Sequence, residues 1–256
     1  MKTVFKSDKK EQAASAREAG RVEAVNNLKH MDFDLNIGLQ GIVKLAAEIC
    51  DTPIALITLL DQTNQYAKVR HGADLCMIDR ESSFCTYTIE QYDVMVVEDM
   101  MADQRFSSNP FVTDGPMIRF YAGAPLTTMD ELNLGALCVL DVNPKVLTEG
   151  KKHLLKILAD QALYLMQLQH SMELLQKQVA DIEKQNKALS KIAFIQSHEF
   201  RSPVATILGL MNLIKDEGYS NSEDYFLMME DAVKFLDKKI HMVVASTSIA
   251  KRAHVA

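Results

Sequence analysis

Hydrophobic and polar positions change their period twice along the chain. Twelve or so polar, lysine-rich residues open it and predict a frayed tail, and Ala13 to Leu28 has helical composition. After the break KHMDFD, the residues Leu39, Ile42, Val43, Ala46 and Ile49 recur at three- and four-residue spacings. They predict an amphipathic helix that Pro53 ends. The texture then turns to short apolar runs. PIALITLLD and YAKVRHG, parted by the polar turn DQTNQ, read as two strands, and MVVED, FYAGAPLTT and LGALCVLD supply three more. Between them SSFCTYTIE reads as a short helical stretch and DMMADQRFSSNPFVTDGP as an irregular loop. Loops of that length in compact domains are often functional. Residues 36–145 therefore predict an α+β domain with a largely antiparallel sheet.

After Pro144 the period becomes helical again. Leu165, Leu168, Met172, Leu175, Val179, Ile182, Asn186 and Leu189 alternate steps of three and four, a heptad seam with a single polar member. A lone Asn at an a position fixes register and strand number and favours a parallel dimer. The seam reads either as a coiled coil or as one long helix packed on its own domain. The mostly polar e and g positions favour the coiled coil. A helix over 150–196 would run on the order of 70 Å, far beyond what the preceding domain needs. Continuing the register puts Ala193, Phe200, Ile207 and Ile214 at a, Gln196, Pro203 and Leu210 at d, and His198 at the exposed f position. Ile192, Ile195, Leu208 and Met211 widen the apolar stripe, so a further helix must cover it. DEGYSNSED makes the turn, with Ser220 and Glu223 spaced as a capping box. The stretch after it carries Met229, Ala232, Leu236 and Val243 on one face. Two such hairpins in a dimer make a four-helix bundle.

Composition narrows the classes. The net charge is −6 with signs mixed, which gives no basic face for a phosphate backbone and argues against nucleic acid. No run approaches a membrane span, and MKTVFKSDKKEQ lacks the apolar stretch of a signal peptide, so a soluble cytoplasmic protein is expected. Cys50, Cys76, Cys85 and Cys138 lack paired spacing and read as small buried apolar residues, not as disulfides or a metal site.

The chemistry concentrates in IQSHEFRSPVATILGL. Neutral imidazole is a nucleophile, and its ordinary pKa near 6.5 leaves much of it neutral at cell pH. An outward helical histidine such as His198 meets a bulky phosphoryl donor without a pocket of its own. Glu199 beside it is a candidate acceptor for the imidazole proton. Ser202, one turn on, is placed to orient a water or a phosphoryl oxygen. Pro203 removes the amide that would bond the Glu199 carbonyl and so loosens the helix beside the reactive side chain. A single exposed histidine usually does nothing, and the chain has six others. The whole string changes that: SHEFRSPV resembles the H-box of sensor histidine kinases, commonly SHELRTPL, with conservative changes at Phe200, Ser202 and Val204. The resemblance implies a dimerisation and phosphotransfer domain, phosphorylated on His198 and passing the group to an aspartate of a response regulator. In that family the Thr or Asn at the Ser202 position helps place water for dephosphorylating the regulator. Serine keeps the hydroxyl but loses the methyl that restricts its rotamer.

PIALITLLD, FCTYTI, DQRFSSNPFVTDGPMIRFYAGAPL and LGALCVLD, read in order, resemble a GAF domain. This implies an antiparallel sheet of five or six strands with helices behind it and a ligand cleft facing the loops, with the ligand unspecified. Some relatives carry a bilin on a cysteine followed two residues later by histidine. Cys85 is followed by Thr86 and Tyr87, and Cys76 by Met77 and Ile78, so no attached chromophore is expected. Arg105, Asn109, Arg119 and Tyr121 are candidates to line the cleft, or to pin the long loop by hydrogen bonds.

The organisation expected is a polar tail and helix over 1–30, a GAF sensor over 31–165, a coiled-coil signalling helix over 166–190 and a phosphotransfer hairpin over 191–256. No DxGxG occurs and no glycine follows Gly218, so ATP and Mg are expected only through a separate catalytic domain. The expected protein is a homodimeric two-component element. Its partners are a response-regulator receiver domain and a separate histidine-kinase catalytic domain or other phosphodonor. Two other readings stay open: a piece of a longer sensor kinase, or a non-enzymatic ligand-binding dimer that sequesters partners and carries a remnant H-box.

Overall fold

The structure, a computed structural model, describes residues 4–216, 218 and 223–253. The chain divides into two units, Met1–Leu174 and Leu175–Ala256. Helix α1 (Val4–Lys29) and helix α2 (Ile37–Cys50) precede strands β1 (Ile54–Leu60), β2 (Asn64–His71) and β3 (Met77–Asp79). The short helix α3 (Cys85–Thr88), strand β4 (Met95–Val97), the short helix α4 (Pro110–Thr113), and strands β5 (Phe120–Thr127) and β6 (Asn133–Asp141) follow. Helix α5 (Glu149–Asp216) and helix α6 (Glu223–Ala253) complete the order. The helical pattern near the start of the chain reaches further than expected. α1 runs through most of the lysine-rich stretch read as a tail, because its Lys, Gln, Glu and Ala residues are good helix formers.

The six strands form one antiparallel sheet in the order β3-β2-β1-β6-β5-β4. β3 is the strand the hydrophobic pattern did not announce. Its three residues lie at the sheet edge with two of them exposed, and the brief apolar run LCMI that holds Met77 and Ile78 shows no strand alternation. Alternation on the central strands separates two cores. Ile57 of β1, Phe120 of β5 and Leu137 of β6 face a core shared with Leu39 and Val43 of α2 and Leu155 of α5. Leu56, Tyr121 and Cys138, one position out of phase, face a second core closed by Phe84, Phe106 and Val112. An antiparallel sheet covered on both faces has no solvent side, which is why β1, β5 and β6 read as nearly unbroken apolar runs.

Helix α2 starts where Asn36 accepts the amides of Gly38 and Leu39 at 3.0 and 3.2 Å. The Asn36 amide also reaches Gln169 of α5 at 2.8 Å. α1 is fastened to the β1–β2 turn by charge. Glu18 binds Arg21 through both oxygens (2.7 and 2.8 Å) and Arg80 at 2.8 Å. The arginines hold the Glu18 carboxyl down to about 2 against its burial. Arg21 and Arg80 in turn donate to the carbonyls of Leu60 and Asp61. The Asp61 carboxylate accepts from the Thr63 and Asn64 amides at 2.9 and 2.8 Å, from Lys29 at 3.0 Å and from the Tyr66 hydroxyl at 2.9 Å. Burial raises the pKa of Asp61, but these donors outweigh it and hold the group well below the carboxylate range.

The second unit holds the rest of α5 and α6. Pro203 and Leu210 are buried and Phe200, Ile207 and Ile214 half-buried on α5, while Met229, Ala232 and Leu236 are half-buried on α6. Ser220 and the side chains of Ile195, Gln196 and Val243 lie outside the described residues, so the capping box and those seam positions are not described. No described helix is long and apolar enough to cross a membrane.

The Asp61 site generates a pH-dependent prediction. Its folded pKa lies below the unfolded value of about 3.9, so its contribution to stability is full above that pH and is lost as pH falls through the folded pKa. Asp61→Asn is expected to lower the thermal midpoint at pH 7 by roughly 3–6 °C. The gap from wild type should be constant from pH 6 to 8 and shrink below about pH 4, as followed by circular dichroism.

Candidate functional site

The second core is not completely filled. A cavity of about 340 Å³ opens between the outer sheet face and the loops, walled by Leu56, Leu75, Ile78, Phe84, Phe111 and Ile118. Its polar residues are few: Gln65, Ser82, Asp74, Tyr121, Cys85 and Cys138. A small apolar cavity with a few convergent polar groups is the form of a small-molecule site.

Each polar group is positioned by its neighbours. Gln65 accepts a hydrogen bond from Ser83, whose hydroxyl accepts the Cys85 amide at 3.1 Å and so fixes the start of α3. Tyr121 lies along β5 with its hydroxyl 2.6 Å from Thr88 Oγ1 and 3.3 Å from Cys85 Sγ. Gly123 makes this path possible, because a Cβ there would collide with the Tyr121 hydroxyl and stand 2.8 Å from Thr88 Oγ1. Burial pushes the Tyr121 hydroxyl well above its usual pKa, so it remains a donor. Phe84 meets Tyr121 and Phe106 edge to face at 5.7 and 5.4 Å, which stiffens the wall.

Of the four cleft candidates, the structure brings Tyr121 to the cavity. The other three hold the long loop in place. Arg119 donates twice to Asp99, at 2.8 and 2.6 Å, and this pairing holds the Asp99 carboxyl below its usual pKa. Arg105 is bound to Asp103 at 2.6 Å and lies 4.9 Å over the Phe106 ring. Asn109 caps α4 through the Phe111 amide at 3.0 Å and donates to the Ser82 carbonyl at 2.9 Å. The cysteines need correction. Cys50, Cys85 and Cys138 are buried as read, but Cys76 is exposed beside Arg70 on the sheet edge. Cys85 and Cys138, 53 residues apart, come within 3.8 Å. Sequence reasoning missed this pair because the packing of a short helix on a distant strand leaves no spacing signal.

In the second unit His198 is exposed on α5, with the Phe194 ring 6.2 Å away. Glu199 is also exposed, and its Oε2 accepts from Lys239 of α6 at 3.0 Å. Lys239 lies 5.4 Å over the Phe235 ring. Ser202 is exposed, and its carbonyl accepts the Thr206 hydroxyl at 3.2 Å. Pro203 sits inside the helix with its ring buried. Before this segment, the heptad residues Leu168, Met172, Leu175, Val179, Ile182 and Leu189 are 52–63% exposed, whereas Leu163 and Met166 are buried against the sheet. Among the described residues, no group of three His, Cys, Asp or Glu side chains is placed to hold a metal ion.

The antiparallel sheet has long helices on one face and, on the other, an apolar cavity walled by loops and short helices, the form of a small-molecule-binding domain. Residues 34–163 match the GAF domain, and the chain belongs to the GAF family. A relative, the cyclic di-GMP phosphodiesterase PA2567 of Pseudomonas aeruginosa, is 41% identical over 128 residues, which is 50% of this chain and 22% of that protein. The chain thus spans about a fifth of the length of this curated relative. Similar solved structures include the GAF domain from Acinetobacter phosphoenolpyruvate-protein phosphotransferase. It is 15% identical, covers 61% of this chain and 96% of that one, and has a TM-score of 0.45. The second GAF domain of DevS from Mycobacterium smegmatis is 14% identical, covers 54% of this chain and 96% of that one, and has a TM-score of 0.42.

The crowding at Gly123 predicts a coupled pair of variants. Gly123→Ala should destabilise the domain by about 1–3 kcal/mol through overpacking. Tyr121→Phe should cost about 1–2 kcal/mol by leaving the Thr88 hydroxyl without its partner. Together they should cost less than the sum, because phenylalanine removes the nearest of the atoms that the new methyl meets, leaving the ring Cζ and Thr88 Oγ1 at 2.8 Å. Urea denaturation of the three variants measures this coupling.

Proposed function

We propose that this chain is a two-component signalling element in which a GAF sensor is coupled to a phosphoacceptor histidine, His198. The observation that carries the reading is the string SHEFRSPV on an exposed helical face, with His198 outward and Pro203 buried behind it. A neutral ring nitrogen of His198 attacks the phosphorus of a donor, the donor's leaving group departs, and a receiver aspartate later takes the phosphoryl group from the imidazole. The donor is a separate histidine-kinase catalytic domain with its ATP and Mg, or an already phosphorylated regulator. Glu199 accepts the imidazole proton, and Lys239, bound to its Oε2, tunes and orients that carboxylate. Ser202 is the candidate to place water when the regulator is dephosphorylated.

Coupling runs along α5. The helix begins with Leu155, Ala159 and Met166 in the sheet core and carries His198 further on. In this reading a ligand in the GAF cavity shifts those core contacts, and the helix loosened at Pro203 changes which partner reaches His198. The exposed seam from Leu168 to Leu189 supports a parallel homodimer, since isolated chains rarely leave so regular an apolar stripe in water. The protein acts in the cytoplasm, where receivers and kinase domains reside.

Two measurements test the reading. Incubated with a histidine-kinase catalytic domain and ATP, or with a phosphorylated receiver, the wild type should gain acid-labile phosphate and His198→Gln should gain none. Absence of label from every donor would favour the non-catalytic reading, a ligand-binding dimer with a remnant H-box. Light scattering should give twice the chain mass for wild type, and a double change Ile182→Asp, Leu189→Asp should halve it.

A further inference from the structure

The two buried thiols at the floor of the cavity have no part in the phosphotransfer reading. We propose that Cys85 and Cys138 form a hydroperoxide-responsive dithiol, in which Cys85 is oxidised and Cys138 resolves it to an intramolecular disulfide. The argument rests first on placement. Both residues line the cavity, so a small oxidant that enters it comes up against them without unfolding of the domain. They stand 3.8 Å apart, and a disulfide needs about 2.05 Å. Closing that gap of roughly 2 Å asks for a rotamer change and a small shift. Cys138 is held in β6 between β1 and β5, so the shift falls on α3, a four-residue helix.

The surroundings favour Cys85 as the attacking sulfur. Tyr121 donates toward Cys85 Sγ while Thr88 can donate to the Tyr121 hydroxyl, which makes a relay of hydroxyl groups ending on one sulfur. The Thr58 hydroxyl has one hydrogen for two acceptors, the Ala136 carbonyl at 3.2 Å and Cys85 Sγ at 3.5 Å. The Cys138 thiol is the strongest of the groups that stabilise the Cys85 thiolate, and together they bring its pKa down to about 7. Cys138 moves the opposite way and keeps its proton. Cys50, buried against the other face, is pushed up to about 11 by burial and serves as an internal control. Nucleophilic attack needs the thiolate, so the two buried environments predict opposite reactivities.

The chemistry balances. The Cys85 thiolate attacks the terminal oxygen of a hydroperoxide, the O–O bond breaks, and the departing alkoxide takes a proton from solvent to leave as alcohol, or as water from hydrogen peroxide. Cys85 is then a sulfenic acid. The Cys138 sulfur attacks the Cys85 sulfur, the S–O bond breaks, and hydroxide leaves with the Cys138 proton as water. Two thiols have been oxidised to one disulfide, and one hydroperoxide has been reduced. The new bond draws the start of α3 toward β6. Phe84 and Tyr121 flank that point and wall the cavity, so oxidation also reshapes the ligand site.

The test uses the full chain with Cys76→Ser, which removes the exposed thiol from the analysis. Reduced protein is treated with hydrogen peroxide or cumene hydroperoxide, quenched by alkylation and measured as intact mass and as peptides. The expected result is a loss of 2 Da, two fewer alkylated thiols and a peptide pair joined through Cys85 and Cys138, with Cys50 still alkylated. Adding Cys138→Ser should instead stop at a Cys85 sulfenic acid that dimedone traps, and adding Cys85→Ser should leave Cys138 unoxidised. Retention of both cavity thiols at peroxide doses that oxidise Cys76 in the unsubstituted chain would overturn the proposal. So would oxidation that proceeds equally at Cys50. The joined peptide is read without any change at Cys85 or Cys138, so misfolding of those variants cannot imitate it. His198 plays no part in the assay, so its outcome is independent of the phosphotransfer reading.

Discussion

Burial of the central β1–β6–β5 ladder on both faces is the constraint on which the first unit depends. Each of these strands sends alternate side chains into two different cores, so no face is left to mark inside from outside. One core is filled by α1, α2 and the start of α5 and does structural work. The other is closed by short helices and loops, which pack less completely against a flat sheet, and the cavity is what remains. A domain built this way can admit a small molecule on one face of strands whose alternate residues pack on the helices of the other.

The loop that closes the cavity is held chiefly by ion pairs and caps rather than by secondary structure. Arg119 on Asp99, Arg105 on Asp103 and Asn109 across to Ser82 tie it at three separated points. Between those points Phe84, Phe106 and Phe111 supply the apolar wall. Polar residues fix the frame and aromatic residues shape the space. This division explains why conspicuous arginines in the loop lie apart from the cavity, while the polar residues that line it are Gln65, Asp74, Ser82, Tyr121 and two cysteines.

In the second unit the balance is different. Only Pro203 and Leu210 are buried among the described side chains, and apolar residues such as Phe194, Leu208, Phe226 and Phe235 remain half or more exposed. Covering so thin a core is what the proposed dimer would do. His198 needs no such core. In the proposed role, an acceptor for a bulky phosphoryl donor would work from an outward helical position, with Glu199 and Lys239 on its flanks.

Periodicity along the chain determined the helix–sheet–helix order, five of the six strands and the long helix, because each is a local pattern of burial. It also carried the SHEFRSPV string, where the residue types and their spacing are themselves the signal. The short edge strand Met77–Asp79 escaped it, since the apolar run LCMI is too brief to display a strand period. Tertiary structure alone decided which polar residues meet. Tyr121 faces the cavity because Gly123 leaves room beside it, whereas Arg105, Asn109 and Arg119, equally plausible by composition, turn to nearby loop partners. Cys85 and Cys138 are joined only by the packing of α3 on β6. A contact across 53 residues depends on how a short helix packs on the sheet, and that is information no local pattern contains.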